Sequence, residues 1–185
     1  MIHEPFTFRS RDSTLVYGHL FYSKKENPLF MEIPPGIHGG VIPNGKDIDP
    51  LQKAIAEFLI EEGFTVCFID KRGSKGYGPH YMNLRDFCGR SVDDIIEGTI
   101  IALEKCKAQK TILHGTSSSA TESLVAAINS PDLFTKIVLT SGFYNIPQQI
   151  DYEKDRTLKP TIDLVSHLTS EEIAQRNPLN SIFLA

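Results

Sequence analysis

Hydrophobic and polar residues change their spacing along the chain, and each spacing predicts a different element. Two short runs of alternating residues, Phe6 to Ser10 and Leu15 to Tyr22, stand on either side of "RDS". Alternation with a period of two is typical of strands with one covered face, so this segment predicts an antiparallel hairpin. The apolar stretch in "NPLFMEI" then ends at Pro34 and Pro35 and runs into "GIHGG". We expect a strand followed by a glycine-rich loop.

From Asp49 onward, helical and strand patterns alternate. Asp49 and Gly63 bound a helix in "DPLQKAIAEFLIEEG", while "SVDDIIEGTIIALEK" and "SSATESLVAAINS" predict two more helices. Ser91 is expected to cap the second helix, with Asp94 in place of the usual Glu or Gln of a capping box. The runs "FTVCFID", "KTILHG" and "KIVLTSG" predict strands, buried where apolar residues are continuous. The more polar remainder, from residue 144, contains one clear helix near "TSEEIAQR".

This order predicts one α/β domain spanning residues 1–185, with a sheet that is antiparallel at its start and then parallel. The composition fits a soluble globular protein, because 41% of residues are hydrophobic and 23% are charged. A net charge of -4 without a basic stripe argues against nucleic acid as a partner. The chain has neither a leader pattern nor a run of apolar residues long enough for a membrane span, so we expect a cytoplasmic protein.

Cofactors and metals are not expected. Cys67, Cys88 and Cys106 are far apart and lack metal-ligand spacing, so reduced thiols are the simplest interpretation. The glycines of "GSKGYG" stand in the wrong order for a dinucleotide fingerprint, and we predict no helix directly after them.

The candidate chemistry lies in "HGTSSSA", which follows a predicted strand and precedes a predicted helix. This context is that of a nucleophile elbow, G-x-S-x-G, with Ser117 at the apex and Ser119 in place of the last glycine. The alternative is that the serines cap the helix. Acyl transfer also needs two backbone N–H groups aimed at an oxyanion, and Ser118 with Gly39 or Gly40 of "IHGG" could supply them. A plain glycine turn is the alternative for that loop.

Taken together, these segments resemble the prolyl oligopeptidase-like serine peptidases and their acyl-peptidase relatives, within the α/β-hydrolase superfamily. The resemblance is carried in order by "RDSTLVYGHLFYS", "IHGG", "IDKRGSKGYG", "SVDDIIEGTIIAL", the elbow region and "RNPLNSI", over roughly residues 5–183. It implies an α/β-hydrolase sheet with helices on both faces and hydrolysis of peptide or related acyl bonds. Ser117 would be the nucleophile, Ser118 and Gly39 or Gly40 the oxyanion donors, and Tyr77 a group lining the site.

The acid and base of that family are not found where the resemblance puts them. Its order is Ser, then Asp or Glu, then His, and the sequence after Ser117 contains only one histidine, His167. We expect His167 to be a solvated surface residue, His114 to be buried, and His38 to brace the oxyanion loop, while the position of His80 is open. Asp151 and Asp155 would matter only if a base were present.

The fold is therefore expected to lack its last strands and helices, leaving an open sheet edge that favours a protein partner or self-association. The expected substrate is a peptide or a small acyl compound, and three interpretations of the incomplete site remain open. A partner or following segment supplies Asp and His; the chain is an inactive relative acting as a binding or scaffold subunit; or it is a truncated product. A small α/β binding protein, with its serines acting as helix caps, is the alternative from outside the hydrolases.

Overall fold

The computed structural model describes residues 1–36, 39–156 and 159–182, and the strands in these ranges form one mixed sheet. Their order across the sheet is β1-β2-β4-β3-β5-β6. The strands are β1 (Ile2–Arg9), β2 (Leu15–Tyr22), β3 (Leu29–Ile33), β4 (Thr65–Asp70), β5 (Thr111–Thr116) and β6 (Lys136–Thr140).

The sheet changes direction as predicted. β1 and β2 form the expected antiparallel hairpin, and β2 pairs antiparallel with β4 as well. From there, β3 lies between β4 and β5, and all remaining pairs, including β5 with β6, are parallel. The carboxyl ends of β3, β4, β5 and β6 therefore meet at one edge, which is where open α/β sheets place their functional groups.

Helices cover both faces, which confirms the predicted α/β class. They are α1 (Pro50–Glu61), α2 (Gly78–Met82), α3 (Arg90–Cys106), α4 (Ser118–Asn129), α5 (Ile146–Asp155), α6 (Pro160–Val165), α7 (Ser170–Gln175) and α8 (Pro178–Ile182). On one face, Ile95 of α3 and Ala126 of α4 pack with Met31 and Leu113 of the sheet. On the other, Ala56 of α1 packs against Phe68.

The β6 side of the sheet carries exposed apolar side chains. β6 pairs only with β5 in the part of the chain that the structure describes. Ile137 and Val138 are 40% and 45% exposed, although burying an aliphatic side chain normally contributes about 1.5–3 kcal/mol. An unpaired edge with exposed apolar residues is a surface on which another strand or chain can pack.

The capping box predicted at Ser91 and Asp94 is wrong. α3 begins at Arg90, with Gly89 at its N-cap and no capping side chain. Ser91 Oγ instead donates to the Glu122 carboxylate and lies 2.8 Å from the Asp86 carbonyl oxygen. The Asp94 carboxylate accepts from the backbone and guanidinium of Arg72. Both side chains serve long-range contacts, which local spacing does not encode.

The segment after residue 144 contains more helix than its pattern predicts. The predicted helix near "TSEEIAQR" is α7, and Thr169 and Glu172 form its capping box. α5, α6 and α8 were missed, and "RNPLNSI" contributes to α8. The prediction that no helix follows "GSKGYG" is also wrong, because α2 begins at Gly78. The missed helices have ten residues or fewer, too short for a clear helical period to appear.

Candidate active site

Ser117 stands on a strained turn between β5 and α4. Its backbone has φ 58° and ψ -128°, a conformation that only glycine adopts easily. Its N–H donates to the Thr140 carbonyl at 2.9 Å, which ties the turn to the end of β6. The side chain is exposed and makes no capping hydrogen bond. This geometry is that of a nucleophile elbow and argues against the capping alternative.

Close packing between β5 and α4 explains the residues around Ser117. A Cβ on Gly115 would lie 2.5 Å from the Ser119 carbonyl oxygen and 2.5 Å from Ser123 Oγ, so only glycine fits there. Ser119, at the last position of the motif, is fully buried, and its hydroxyl donates to the Pro34 carbonyl at 2.7 Å. The serine that replaces glycine therefore joins the start of α4 to the loop after β3.

The two sets of expected oxyanion donors lie in different surroundings. Ser118 is the first residue of α4, so its N–H has no acceptor within the helix and is available to a ligand at the elbow. Gly39 has no room for a side chain, because a Cβ would lie 2.0 Å from the Pro35 carbonyl oxygen. Gly40 lies against the Lys75 backbone. Neither glycine is among the described residues that line the cleft at Ser117.

That cleft has a volume of about 240 Å³. Its walls come from the turn after β3, the elbow, the turn after β6, and helices α5 and α6. The lining residues are Gly36, Ser117, Ser118, Ser141, Gly142, Phe143, Gln149, Glu153, Thr161 and Leu164. Only Ser117 and Ser118 were expected from the sequence. Ser141 follows a predicted strand, so the rule on carboxyl ends could have found it; Glu153 and Gln149 lie in a polar segment with no motif.

Glu153 is the titratable side chain that the described part of the chain contributes to the cleft. It is 1% exposed. One carboxylate oxygen accepts from the N–H groups of Thr161 (2.8 Å) and Ile162 (3.1 Å), and the other from the Gln149 amide at 3.1 Å. Burial raises the pKa of this carboxyl, but these hydrogen bonds outweigh burial and hold the pKa below its ordinary value. Glu153 is therefore ionised at neutral pH.

A buried ion pair lies behind Ser118. Lys71 Nζ is 3.2 Å from Glu122 Oε2, and both side chains are nearly inaccessible. The other carboxylate oxygen of Glu122 accepts from Ser91 Oγ at 2.5 Å. These contacts join the loop after β4 to α3 and α4. The Ser118 hydroxyl is also buried and has no hydrogen-bond partner in the described part of the chain.

Tyr77, which the resemblance implies as a group lining the site, lies away from the cleft. Its hydroxyl donates to Asp70 Oδ2 at 2.7 Å and is 3.0 Å from His19 Nε2. Burial raises the pKa of Tyr77, so the phenol stays protonated. The other Asp70 oxygen accepts from Val41 N at 2.8 Å. Through Asp70, Tyr77 supports the loop that holds Gly40, and its ring lines a separate pocket along β1 and β2.

No described histidine lines the cleft at Ser117. His167 is exposed and faces a surface hollow with Met82, Asn83 and Arg85, as expected of a surface residue. His114 is half-buried, and its Nδ1 is 2.5 Å from Glu32 Oε2, which raises its pKa. His80 is exposed on α2. His38 lies outside the described residues.

The remaining expected side chains do not form a second centre. Asp151 and Asp155 are exposed on α5. Cys67, Cys88 and Cys106 are buried free thiols, and burial raises the pKa of each. In the ranges that the structure covers, no group of three or more His, Cys, Asp or Glu residues could hold a metal ion. Likewise, none of the described helices is long and apolar enough to cross a membrane.

The sheet order, the strained Ser117 and the position of the cleft define an α/β-hydrolase-like domain. Sequence comparison gives the family: the profile of the prolyl oligopeptidase family matches residues 51–178, more than half of the chain. The protein belongs to the prolyl oligopeptidase family.

Individual relatives agree on the fold. A prolyl endopeptidase structure is similar to this chain with a TM-score of 0.63 and 14% sequence identity. The structure of a protein assigned as a dipeptidyl aminopeptidase IV from Bacteroides ovatus is similar with a TM-score of 0.64 and 17% sequence identity. Each similarity covers 78% of this chain and 22% of the other. Karrikin insensitive 2 receptor B from Petunia hybrida is 30% identical over 100 residues, which cover 54% of this chain and 36% of the receptor. The chain thus spans a minor part of the length of these relatives.

Proposed function

We propose that this domain carries out acyl transfer to water, with Ser117 as the nucleophile and peptide or ester bonds as substrates. The observation that carries the proposal is the strained backbone of Ser117, which presents an exposed hydroxyl at the carboxyl edge of the sheet. Strain at a polar residue beside a cleft is typical of catalytic turns. The Ser118 N–H, at the start of α4, is the proposed first oxyanion donor, and Gly39 or Gly40 the second.

The proposed mechanism needs a base from outside the described residues. A serine hydroxyl is a weak nucleophile until a base within hydrogen-bond reach takes its proton. Glu153 fits this role poorly, because the hydrogen bonds to its carboxylate lower its pKa and make it a weak base. We infer that a partner chain or a following segment supplies His and Asp. The exposed edge of β6 supports this inference, because it offers a place for further strands.

The second candidate function is that of a binding or scaffold subunit without catalysis. It is favoured by the absence of a described histidine from the cleft. Either function is compatible with a cytoplasmic location, which we propose because the three cysteines are free and buried.

Labelling with a fluorophosphonate separates the two functions. The probe is added to the 185-residue chain alone and to the chain mixed with the polypeptide encoded directly downstream. Labelling that requires the second polypeptide and is lost in Ser117→Ala supports the proposed enzyme. Ser166→Ala removes a hydroxyl from an exposed position after α6 and should label like wild type. If the chain is labelled under neither condition, the binding or scaffold function is favoured instead.

A further inference from the structure

The cleft at Ser117 contains a negative charge, which is carried by the buried Glu153 carboxylate. In the described ranges, the Glu153 carboxylate has no Lys, Arg or His nitrogen within 4 Å, whereas the buried Glu122 is paired with Lys71. Its hydrogen-bond partners are two backbone amides and Gln149, all uncharged. A buried carboxylate in such surroundings keeps its charge through hydrogen bonds and attracts a cation that enters the same space.

The rest of the cleft is suited to an aliphatic stem. Phe143 and Leu164 contribute apolar wall, and the backbone of Gly142 lines the cleft beside them. Lys and Arg side chains bury their methylene groups on such surfaces while the charged end reaches a polar partner. The volume of about 240 Å³ is below the range of about 300–1,000 Å³ typical of sites for whole drug-sized ligands. It suits one side chain of a larger substrate.

We propose that Glu153 makes this cleft selective for a cationic group, a Lys or Arg side chain or a primary amine, carried next to the carbonyl that Ser117 attacks. The inference rests on the proposed function, since it identifies the substrate class of the same site. Ser117 and Glu153 line one continuous cleft, so a substrate held at Glu153 presents its neighbouring carbonyl at the elbow. In this arrangement Glu153 binds substrate and takes no part in proton transfer.

A purely structural role for Glu153 leads to a different expectation. Its bonds to Thr161 N and Ile162 N hold the start of α6. If that were its whole role, removing the charge would change stability alone, and the cleft would bind cationic and neutral probes alike. Binding measurements on the folded chain therefore distinguish the two roles.

The test compares benzamidinium with benzamide, a neutral probe of nearly the same shape, by titration calorimetry on the full 185-residue chain. We expect wild type to prefer benzamidinium by at least 10-fold, which is the effect of one hydrogen bond to a charged group. Glu153→Gln keeps the size of the side chain and should abolish the preference. Glu171→Gln makes the same charge change at an exposed position on α7 and should keep it. Equal binding of the two probes to wild type would overturn the inference, as would an unchanged preference in folded Glu153→Gln.

The site of binding is checked independently. Amide chemical shifts of Gly142 and Phe143 should move with benzamidinium and stay unchanged with benzamide; a response confined to other residues would contradict the inference. This measurement on wild type decides the matter if Glu153→Gln does not fold. Fluorophosphonate labelling is scored separately. Labelling of Ser117 without a cation preference removes this inference alone, whereas a cation preference without labelling under either condition removes the proposed hydrolysis and leaves a cation-binding cleft.

Discussion

The strain at Ser117 can be measured by comparing two substitutions at the elbow. Its φ of 58° and ψ of -128° are unfavourable for any residue with a Cβ. Ser117→Ala removes the hydroxyl and keeps the strain, while Ser117→Gly removes both. The Ser117 hydroxyl makes no hydrogen bond in the described part of the chain, so its loss should cost little in either variant. The difference in unfolding free energy between the two variants therefore reports on the backbone.

Two effects of opposite sign determine that difference. Relief of a strained conformation stabilises the Gly variant by about 1–3 kcal/mol. The greater freedom of glycine in the unfolded chain destabilises it by about 0.4–1 kcal/mol. Ser166 provides the matched control, because it is exposed and has helical φ -58° and ψ -19°. There the strain is absent, and Ser166→Gly should be less stable than Ser166→Ala by about 0.5–1 kcal/mol.

Urea unfolding of the four variants at neutral pH gives both differences. Subtracting the Ala-to-Gly change at Ser166 from the change at Ser117 cancels the contribution of the unfolded chain. The remainder should be about 1–3 kcal/mol in favour of glycine at the elbow. If the Ala-to-Gly change were the same at both positions, the turn would carry no strain, and the main support for Ser117 as a nucleophile would be lost.

Two further predictions concern charged groups. Lys71→Met leaves the Glu122 carboxylate buried without a cation, which should lower the free energy of unfolding in urea by about 3–5 kcal/mol. Adding Glu122→Gln should restore most of the lost stability. A double variant as unstable as Lys71→Met would contradict this prediction. Hydrogen bonds from Lys25 and Lys105 lower the pKa of Glu4 from 4.5 to about 2. Because the folded pKa is the lower one, this stabilisation is present above pH 4.5 and is lost as the pH falls through about 2. Glu4→Gln should therefore reduce the urea midpoint at pH 7 more than at pH 2, and an equal reduction at both would contradict the interpretation.

The elements that the sequence predicts well are those with a strong local period. In β1, the buried Phe6 and Phe8 alternate with exposed neighbours, and α1 has both a capping Asp49 and a clear helical face. α5 has a capping Asn145 but a polar composition, and α6 has six residues and no capping side chain. They are held by contacts between distant residues, such as Ile146 N to the Asn177 side chain. Ser91 is the opposite case: it is a favourable capping residue in the sequence, but in the structure it is buried and bonds to Glu122 instead of capping α3.

In the candidate site, too, local features could be predicted from the sequence and long-range contacts could not. Ser117 could be predicted because the elbow is local: the small Gly115, the strained turn and the helix start lie within a few residues of one another. The link between this turn and the loop after β3 could not, because Ser119 bonds to Pro34, 85 residues away. At that position the sequence suggests a tolerated replacement for glycine, whereas the structure gives the hydroxyl a specific partner.

The charge of the cleft is the least local property of the site. Glu153 stands 36 residues after Ser117 in the sequence, in a polar helix whose pattern marks no functional residue. It reaches the cleft because Ile146 and Ile150 of the same helix pack with Phe143, Leu164 and Val165. An elbow motif can thus identify the residue that attacks an acyl group. The substrate group that binds beside that acyl group depends on Glu153, and so on how a separate helix packs. For that reason the nucleophile and the substrate preference require different experiments, and the cation preference at Glu153 can be tested by binding alone, without hydrolysis.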